Sequence, residues 1–416
     1  MAVRKRKWKG PDGTEKEAWL ADYTDAKGRR HRKSFDKKKD ADAYVEKAKV
    51  EIRAGTYIAD TDTVTVKEAA QQWITSGEAA GLERSTLDQY RQHLNLHIAP
   101  FLGTLKLSKI NVPTIRQFQD QLRENGRSVA MVKRVTVSLG SILADAQERG
   151  LVMRNAVHEM SRRKKGAVTR ERRQKARLRV GADIPTTEEI RNIIQHAEGR
   201  YRPLLLTAIF TGLRASELRG LPWDNVDLEK AQVHVRQRAD KYHVIGMPKS
   251  DAGQRTIPLP PIVVNTLKEW KLTCPKGDLN LVFPNGEGNV EWHPNIIKRG
   301  LHPVQIAAGV VKPTGEIDEE GNPVVGAKYT GMHALRHWFA SWCINRRVDG
   351  GLELPGKMVQ ERMGHSSIQV TMDTYSHLFP STDDADMLAD AERNLLLGIN
   401  GTPMAQKARK YNKNTG

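Results

Sequence analysis

Three observations predict a multidomain chain: a small α+β unit, an all-α domain, and a mixed, mainly helical domain with a small β-sheet. At 416 residues the chain is too long for one small core. Its hydrophobic period changes along the length, from 2 with turn signals, to 3.6, to a mixture of the two. The twenty residues from 161 to 180 carry ten Lys/Arg against Glu171 alone, which sets apart the regions on either side.

Residues 1–60 give the α+β unit. Ala18-Trp19-Leu20-Ala21-Asp22-Tyr23 alternates as a strand does, Asp25-Ala26-Lys27-Gly28 signals a turn, and Arg29 to Phe35 returns as a second strand. Ala41, Tyr44, Val45 and Ala48 then recur at helical spacing. Residues 1–59 hold 17 Lys/Arg against 10 Asp/Glu, and a basic ribbon of this kind suits a major groove. Arg29, Arg30 and Arg32 are its candidate DNA contacts; a solvated charged face is the plainer reading.

Thr61-Asp62-Thr63 is a polar connector, and residues 64–160 read as all-helical. Thr65 and Glu68 form a capping box for a helix carrying Ala69, Ala70 and Trp73. Ser85-Thr86 starts a second helix with Leu87, Tyr90, Leu94 and Ile98 on one face. Asn111 with Pro113 opens a third carrying Ile115, Phe118 and Leu122, and Ser128 a fourth carrying Val132, Val135, Leu139, Ile142, Leu143 and Ala146. These stripes are core. The basic segment 161–180 has too few apolar side chains to fold alone. Its Arg162, Arg163, Lys164, Lys165, Arg170, Arg172 and Arg173 are set to lie along a phosphate backbone, the alternative being a solvated tether.

Residues 181–398 form the mixed domain. Pro185 and the acids Glu188 and Glu189 mark a helix start. Tyr201 to Phe210 suits a buried helix ended by Gly212, which places Arg214 just beyond it. Val233 to Arg236, Val244 onward and Arg255 to Leu259 are short strands, the last leaving a turn over Met247–Gly253. Residues 312–326 look like an exposed hairpin. Met387, Leu388, Ala391, Leu395 and Leu396 give a closing amphipathic helix, and the basic tail 399–416 is expected to be disordered.

The net charge of +18 favours a polyanionic partner, nucleic acid before acidic membrane. Cys274 and Cys343 are the only cysteines, which excludes a disulfide framework and a cysteine zinc site and suits a reducing cytoplasm. No apolar run approaches the ~20 residues that span a bilayer.

Four short stretches carry chemistry: Thr211-Gly212-Leu213-Arg214-Ala215-Ser216-Glu217-Leu218, His333-Ala334-Leu335-Arg336-His337, Met363-Gly364-His365-Ser366-Ser367 and Thr371-Met372-Asp373-Thr374-Tyr375-Ser376-His377. Paired guanidiniums suit an anionic tetrahedral group. A phenol becomes a usable nucleophile where its developing charge lies beside cations. Arg214 also reads as an ion-pair partner of Glu217, and His337 and His377 as hydrogen-bonding neighbours. His333 and His365 have no Cys or acid nearby to complete a metal site.

In order and spacing this set resembles the tyrosine recombinase (phage integrase) family from about Val64 to Ile399, and Lys249 resembles that family's hairpin lysine, with Lys241 as the alternative. Residues 1–60 are similar to the arm-type DNA-binding modules of phage-like integrases, a three-stranded sheet plus helix. The resemblance implies an arm-binding domain (1–60), a helical core-binding, SAM-like domain (64–160), a basic linker (161–180) and a catalytic domain of the tyrosine recombinase type (181–398). Ala156 stands where the family usually has Pro.

Carried over by position, Tyr375 attacks the scissile phosphodiester and forms a 3′-phosphotyrosyl link. Arg214 and Arg336 hold the non-bridging oxygens, and His365 donates to one of them. His333 is the candidate base, Lys249 the general acid, and Glu217 orients its neighbours. Neither metal nor ATP is implied. The family further implies double-stranded DNA with core and arm attachment sites, gripped from opposite faces, and a homotetramer acting through a Holliday junction. An excisionase or directionality factor, a host DNA-bending protein and the bacterial cytoplasm complete the expectation. A DNA-binding protein with a silent pocket and a relaxase like the type IB topoisomerases are the rival readings.

Overall fold

The computed structural model describes residues 2–9, 11, 14–25, 28–53, 57, 63–162, 177–248, 250–379, 388–389 and 392–396. Lys249, Arg163, Lys164, Lys165, Arg170, Arg172, Arg173, the side chain of Arg162 and the tail from 399 lie outside them. The chain divides into two compact units, Met1–Arg170 and Glu171–Gly416.

The first unit begins with an antiparallel sheet of β1 (Ala2–Lys9), β2 (Glu15–Thr24) and β3 (Arg30–Phe35), with β2 central. The Lys38–Arg53 helix buries Ala41, Val45 and Ala48. Strict alternation on β2 does not hold, because Leu20, Ala21, Asp22 and Tyr23 are all buried. Asp22 is covered by arginines from both neighbouring strands: Arg30 Nε lies at 2.7 Å, Arg4 at 3.2 Å and Arg32 at 3.6 Å. Arg29 pairs with Asp25 at 3.4 Å. All three candidate contacts of this unit therefore already hold a carboxylate.

The helical part follows local capping chemistry. The Val66–Ala79 helix starts with the Thr65–Glu68 capping box. Val112–Glu124 and Val129–Glu148 are capped by Asn111 and Ser128, whose side chains accept the first free amides. The second helix begins at Arg84, one residue before the expected Ser85, and Glu83 before it makes no side-chain cap. Its stripe continues through a π turn at Leu94–Ile98, so Leu87, Leu94 and Ile98 all stay in the core.

The second unit is a mainly helical body around a large core that includes Tyr375, with a small cluster of Ala239, Leu281 and Val290 apart from it. Thr186 and Glu189 box the start of the Thr187–His196 helix. The Arg202–Thr211 helix is buried along nearly its whole length and stops at Gly212 in the left-handed conformation (φ 60°). A three-stranded antiparallel sheet of Val226–Asp227, Gln232–Val235 and Arg255–Pro258 lies beside a separate ribbon, Arg238–Ala239 with Ile245–Gly246. The expected exposed hairpin is a ribbon of Val311–Ile317 and Pro323–Ala327. His333–Ile344, Gly356–Met363 and Ile368–Tyr375 are the last long helices among the described residues. Of the closing helix, residues 388–389 and 392–396 are described and helical, with Leu388, Leu395 and Leu396 exposed.

Candidate active site

The four motif stretches converge because two helices end beside one another. Gly212 and Gly364 each terminate a helix with a positive φ, which glycine adopts without a Cβ penalty. Helix C-termini leave carbonyls without intrahelical partners and carry the negative end of the helix dipole. Those carbonyls take the two arginines. Arg336 donates to Gly212 O and Met363 O, and Arg214 Nη2 donates to Gly364 O at 3.0 Å. The glycine that ends each helix thus also fixes a guanidinium, which explains why Gly precedes both Leu213-Arg214 and His365.

Glu217 is the one carboxylate bonded to this cluster among the described residues. Its Oε1 accepts from Arg214 Nη1 at 2.8 Å and its Oε2 from the Arg214 backbone amide at 2.8 Å. Arg255 approaches it with two nitrogens, at 3.1 and 2.8 Å. Burial pushes the Glu217 carboxyl up, but the charge and hydrogen bonds of Arg255, then Arg214, bring it down to about 2. Arg255 also donates to Arg362 O and Gly253 O, so it joins the Asp251–Gly253 turn to the helix that ends at Gly364. Sequence reading did not single it out. Its signal was the alternation Arg255-Thr256-Ile257, which sets Arg255 on the inward face with Ile257.

Arg336 is 3% exposed, and burial, with Arg214 and Arg255 nearby, lowers it to about 9. It remains charged at neutral pH. Tyr375 is 1% exposed. Burial raises its phenol to about 12 against the opposing pull of Arg336 and Arg214. Its hydroxyl hydrogen-bonds to His337 Nδ1 at 2.7 Å. His365 stacks on the Tyr375 ring at 6.2 Å and 10°, and its Nδ1 bonds Thr371 Oγ1 at 2.9 Å. Burial first, then the surrounding arginines, lowers His365 to about 4. His333 is exposed, its ring edge-on to His337 at 5.4 Å. His377 is a fastening, with Nε2 on Leu178 O at 2.7 Å.

Arg214, Glu217, His333, Arg336, His365 and Tyr375 thus come together in one site. Among the described residues no group of three or more His, Cys, Asp or Glu could hold a metal ion.

A model of the phage integrase family matches residues 185–382, and one of the phage integrase N-terminal SAM-like domain matches residues 65–123. Together they span well over half of the chain. The chain belongs to the phage integrase family. This integrase is 26% identical over 384 residues to the tyrosine recombinase XerC-like protein of Caldanaerobacter subterraneus subsp. tengcongensis, covering 86% of this chain and 90% of that one. Its fold is similar to that of the Tn1549 transposon integrase in complex with a circular intermediate DNA (TM-score 0.59, 18% identity, 79% of this chain and 99% of that one). It is also similar to the lambda integrase tetramer bound to a Holliday junction (TM-score 0.50, 18% identity, 87% and 95%).

Proposed function

We propose that this integrase cuts and rejoins two specific DNA sites through a 3′-phosphotyrosyl intermediate and a Holliday junction, integrating a phage or mobile-element genome. One observation carries the reading: a buried phenol lies in the field of two guanidiniums already fixed on helix-end carbonyls. A tetrahedral phosphodiester entering this site meets preorganised donors for both non-bridging oxygens. Tyr375 attacks phosphorus, Arg214 and Arg336 offset the charge that builds in the pentavalent transition state, and His365 donates to one phosphate oxygen. Lys249 supplies the proton to the leaving 5′-oxygen, and Glu217 keeps Arg214 oriented. The phosphotyrosyl ester conserves the bond energy, and a partner strand's 5′-hydroxyl reverses the step.

The domain roles follow the same reading: arm sites for 1–60, core sites for 64–160 and 181–398, with the basic segment 161–180 along the backbone. Four copies act together, and the exposed Leu388, Leu395 and Leu396 are the apolar face offered to a neighbour. A directionality factor and a bending protein complete the assembly, in the bacterial cytoplasm. The reading is tested with a pool of nicked duplexes of randomised core sequence. A denaturant-resistant protein–DNA band should form, its DNA should share a sequence, and Tyr375→Phe should abolish it. No band from the wild-type chain, or a band without sequence preference, would remove the site-specific reading.

A further inference from the structure

We infer that His337, not His333, is the base that receives the phenolic proton of Tyr375, through the bare Nδ1 of a neutral ring. The inference rests on the recombinase reading above, and it moves the role of base from His333, where the family resemblance put it, to His337. Its basis is contact. His337 Nδ1 lies 2.7 Å from Tyr375 Oη, and among the described residues it is that hydroxyl's one hydrogen-bond partner. With Tyr375 1% exposed, water does not compete for the proton. His333 is one helical turn earlier, exposed and edge-on to His337, in place to meet the incoming phosphate rather than the phenol. His365 lies face to face with the Tyr375 ring, where it cannot take an in-plane hydroxyl proton.

The groups around His337 keep it available. Burial, then the charges of His333 and Arg336, disfavour its protonated form and outweigh Asp183, which favours it; the ring is held down to about 4. It is therefore neutral at physiological pH and can accept. Arrival of a phosphodiester adds a negative charge beside Arg214 and Arg336 and lessens their opposition to an imidazolium. The tautomer required has its proton on Nε2.

The step balances. The Tyr375 O–H bond breaks and its proton moves to His337 Nδ1, while an Oη lone pair forms the O–P bond. The P–O5′ bond breaks with its electron pair on O5′, which is protonated by the general acid on the leaving-group side. In the reverse direction the 5′-hydroxyl attacks phosphorus, and the departing tyrosyl oxygen recovers the proton from His337.

The experiment uses the full-length integrase and a nicked duplex recovered from the randomised pool, in two forms: with the ordinary 5′-oxygen and with a bridging 5′-sulfur at the scissile phosphate. The sulfur leaves without an acid. His337→Asn keeps an acceptor near the Nδ1 position but cannot take a proton. Its single-turnover cleavage should fall by about 10²–10³-fold on both substrates. Its rate should climb about tenfold per pH unit above neutrality as hydroxide replaces the base. His337→Ala should regain rate with added imidazole. Near-wild-type cleavage by His337→Asn would reduce His337 to positioning and overturn the inference. Recovery on the sulfur substrate would place it on the leaving-group side and do the same, as would the hydroxide-dependent profile appearing in His333→Asn instead. Nitrogen-15 NMR of histidine-labelled protein reads the tautomer without any variant, and a proton resident on His337 Nδ1 would also overturn it. Failure of the wild-type chain to form any covalent band tells against the recombinase reading instead.

Discussion

Arg336 donates to two backbone carbonyls that lysine's single ammonium cannot reach together. Arg336→Lys should therefore lose the fixed geometry as well as a bidentate donor. Single-turnover cleavage should fall by about 10²–10³-fold, with DNA affinity in a filter assay nearly unchanged. Glu217 is lowered to about 2 from the ordinary carboxylate range. Its ion pairs therefore contribute fully above about pH 4.5 and are lost as pH falls toward 2. Glu217→Gln leaves Arg255 and Arg214 without their buried counter-charge and should cost about 3–5 kcal/mol, read as a drop in denaturation midpoint at neutral pH. Much of this scale was legible in the chain. Arg214 and Glu217 are three residues apart, so their pairing is local. The Arg255–Glu217 pair spans 38 positions and joins a strand to a helix start, which no local period encodes. His337 was visible as a neighbour of the site, but its bond to a residue 38 positions away needed the packing of two helices.

At the scale of elements, helix starts were easy to read because the cap and the amides it satisfies lie within one turn. Thr65, Asn111 and Ser128 cap as their sequences require, and Thr186 caps the helix whose start Pro185, Glu188 and Glu189 had marked. The Arg84 start lacks such a side chain, and there the boundary shifts. Strand β2 departs from alternation because its polar side is closed by arginines from its neighbours, a pairing visible only once the sheet registers. The helix ends matter most for chemistry. A Cβ on Gly212 would sit 2.3 Å from Phe339 Cδ1, in a backbone conformation that already disfavours side chains. Gly212→Ala should lower the thermal midpoint and displace the carbonyl that holds Arg336, so cleavage falls with stability. On Gly364 the added atom would meet Arg255 Nη1 at 2.8 Å and Ala252 O at 3.0 Å. Gly364→Ala should therefore disturb the Arg255–Glu217 pair, and cleavage assayed well below its melting temperature should fall more than stability does.

At the scale of the molecule, a net charge of +18 predicts DNA binding that weakens steeply with salt, because each neutralised phosphate releases counterions. A plot of log affinity against log salt concentration should be linear and steep; a flat response would contradict the role given to that charge. Arg30 and Arg32 already pair with Asp22, so Arg30→Ala should loosen the N-terminal sheet as well as any DNA contact. Hydrogen exchange of β2 amides, measured without DNA, separates the two effects. Acid should act on the catalytic unit through its half-buried imidazoles. His337 and His365 are held near 4, below the 6.5 of a free ring, so the folded state binds these protons less readily than the unfolded chain. Their contribution is complete above about pH 6.5 and is lost as pH falls toward 4, a decline that chemical denaturation at stepped pH would resolve.

Arg214, Arg255 and Arg336 set three guanidiniums beside a single buried carboxylate, which leaves a surplus of positive charge. Sulfate or inorganic phosphate should therefore bind beside these arginines. At matched ionic strength such salts should raise the melting temperature above its value in chloride, by the mass action of a ligand that binds only the folded form. Arg336→Met should abolish that difference, because it removes the guanidinium that Gly212 O and Met363 O hold in place for a phosphate.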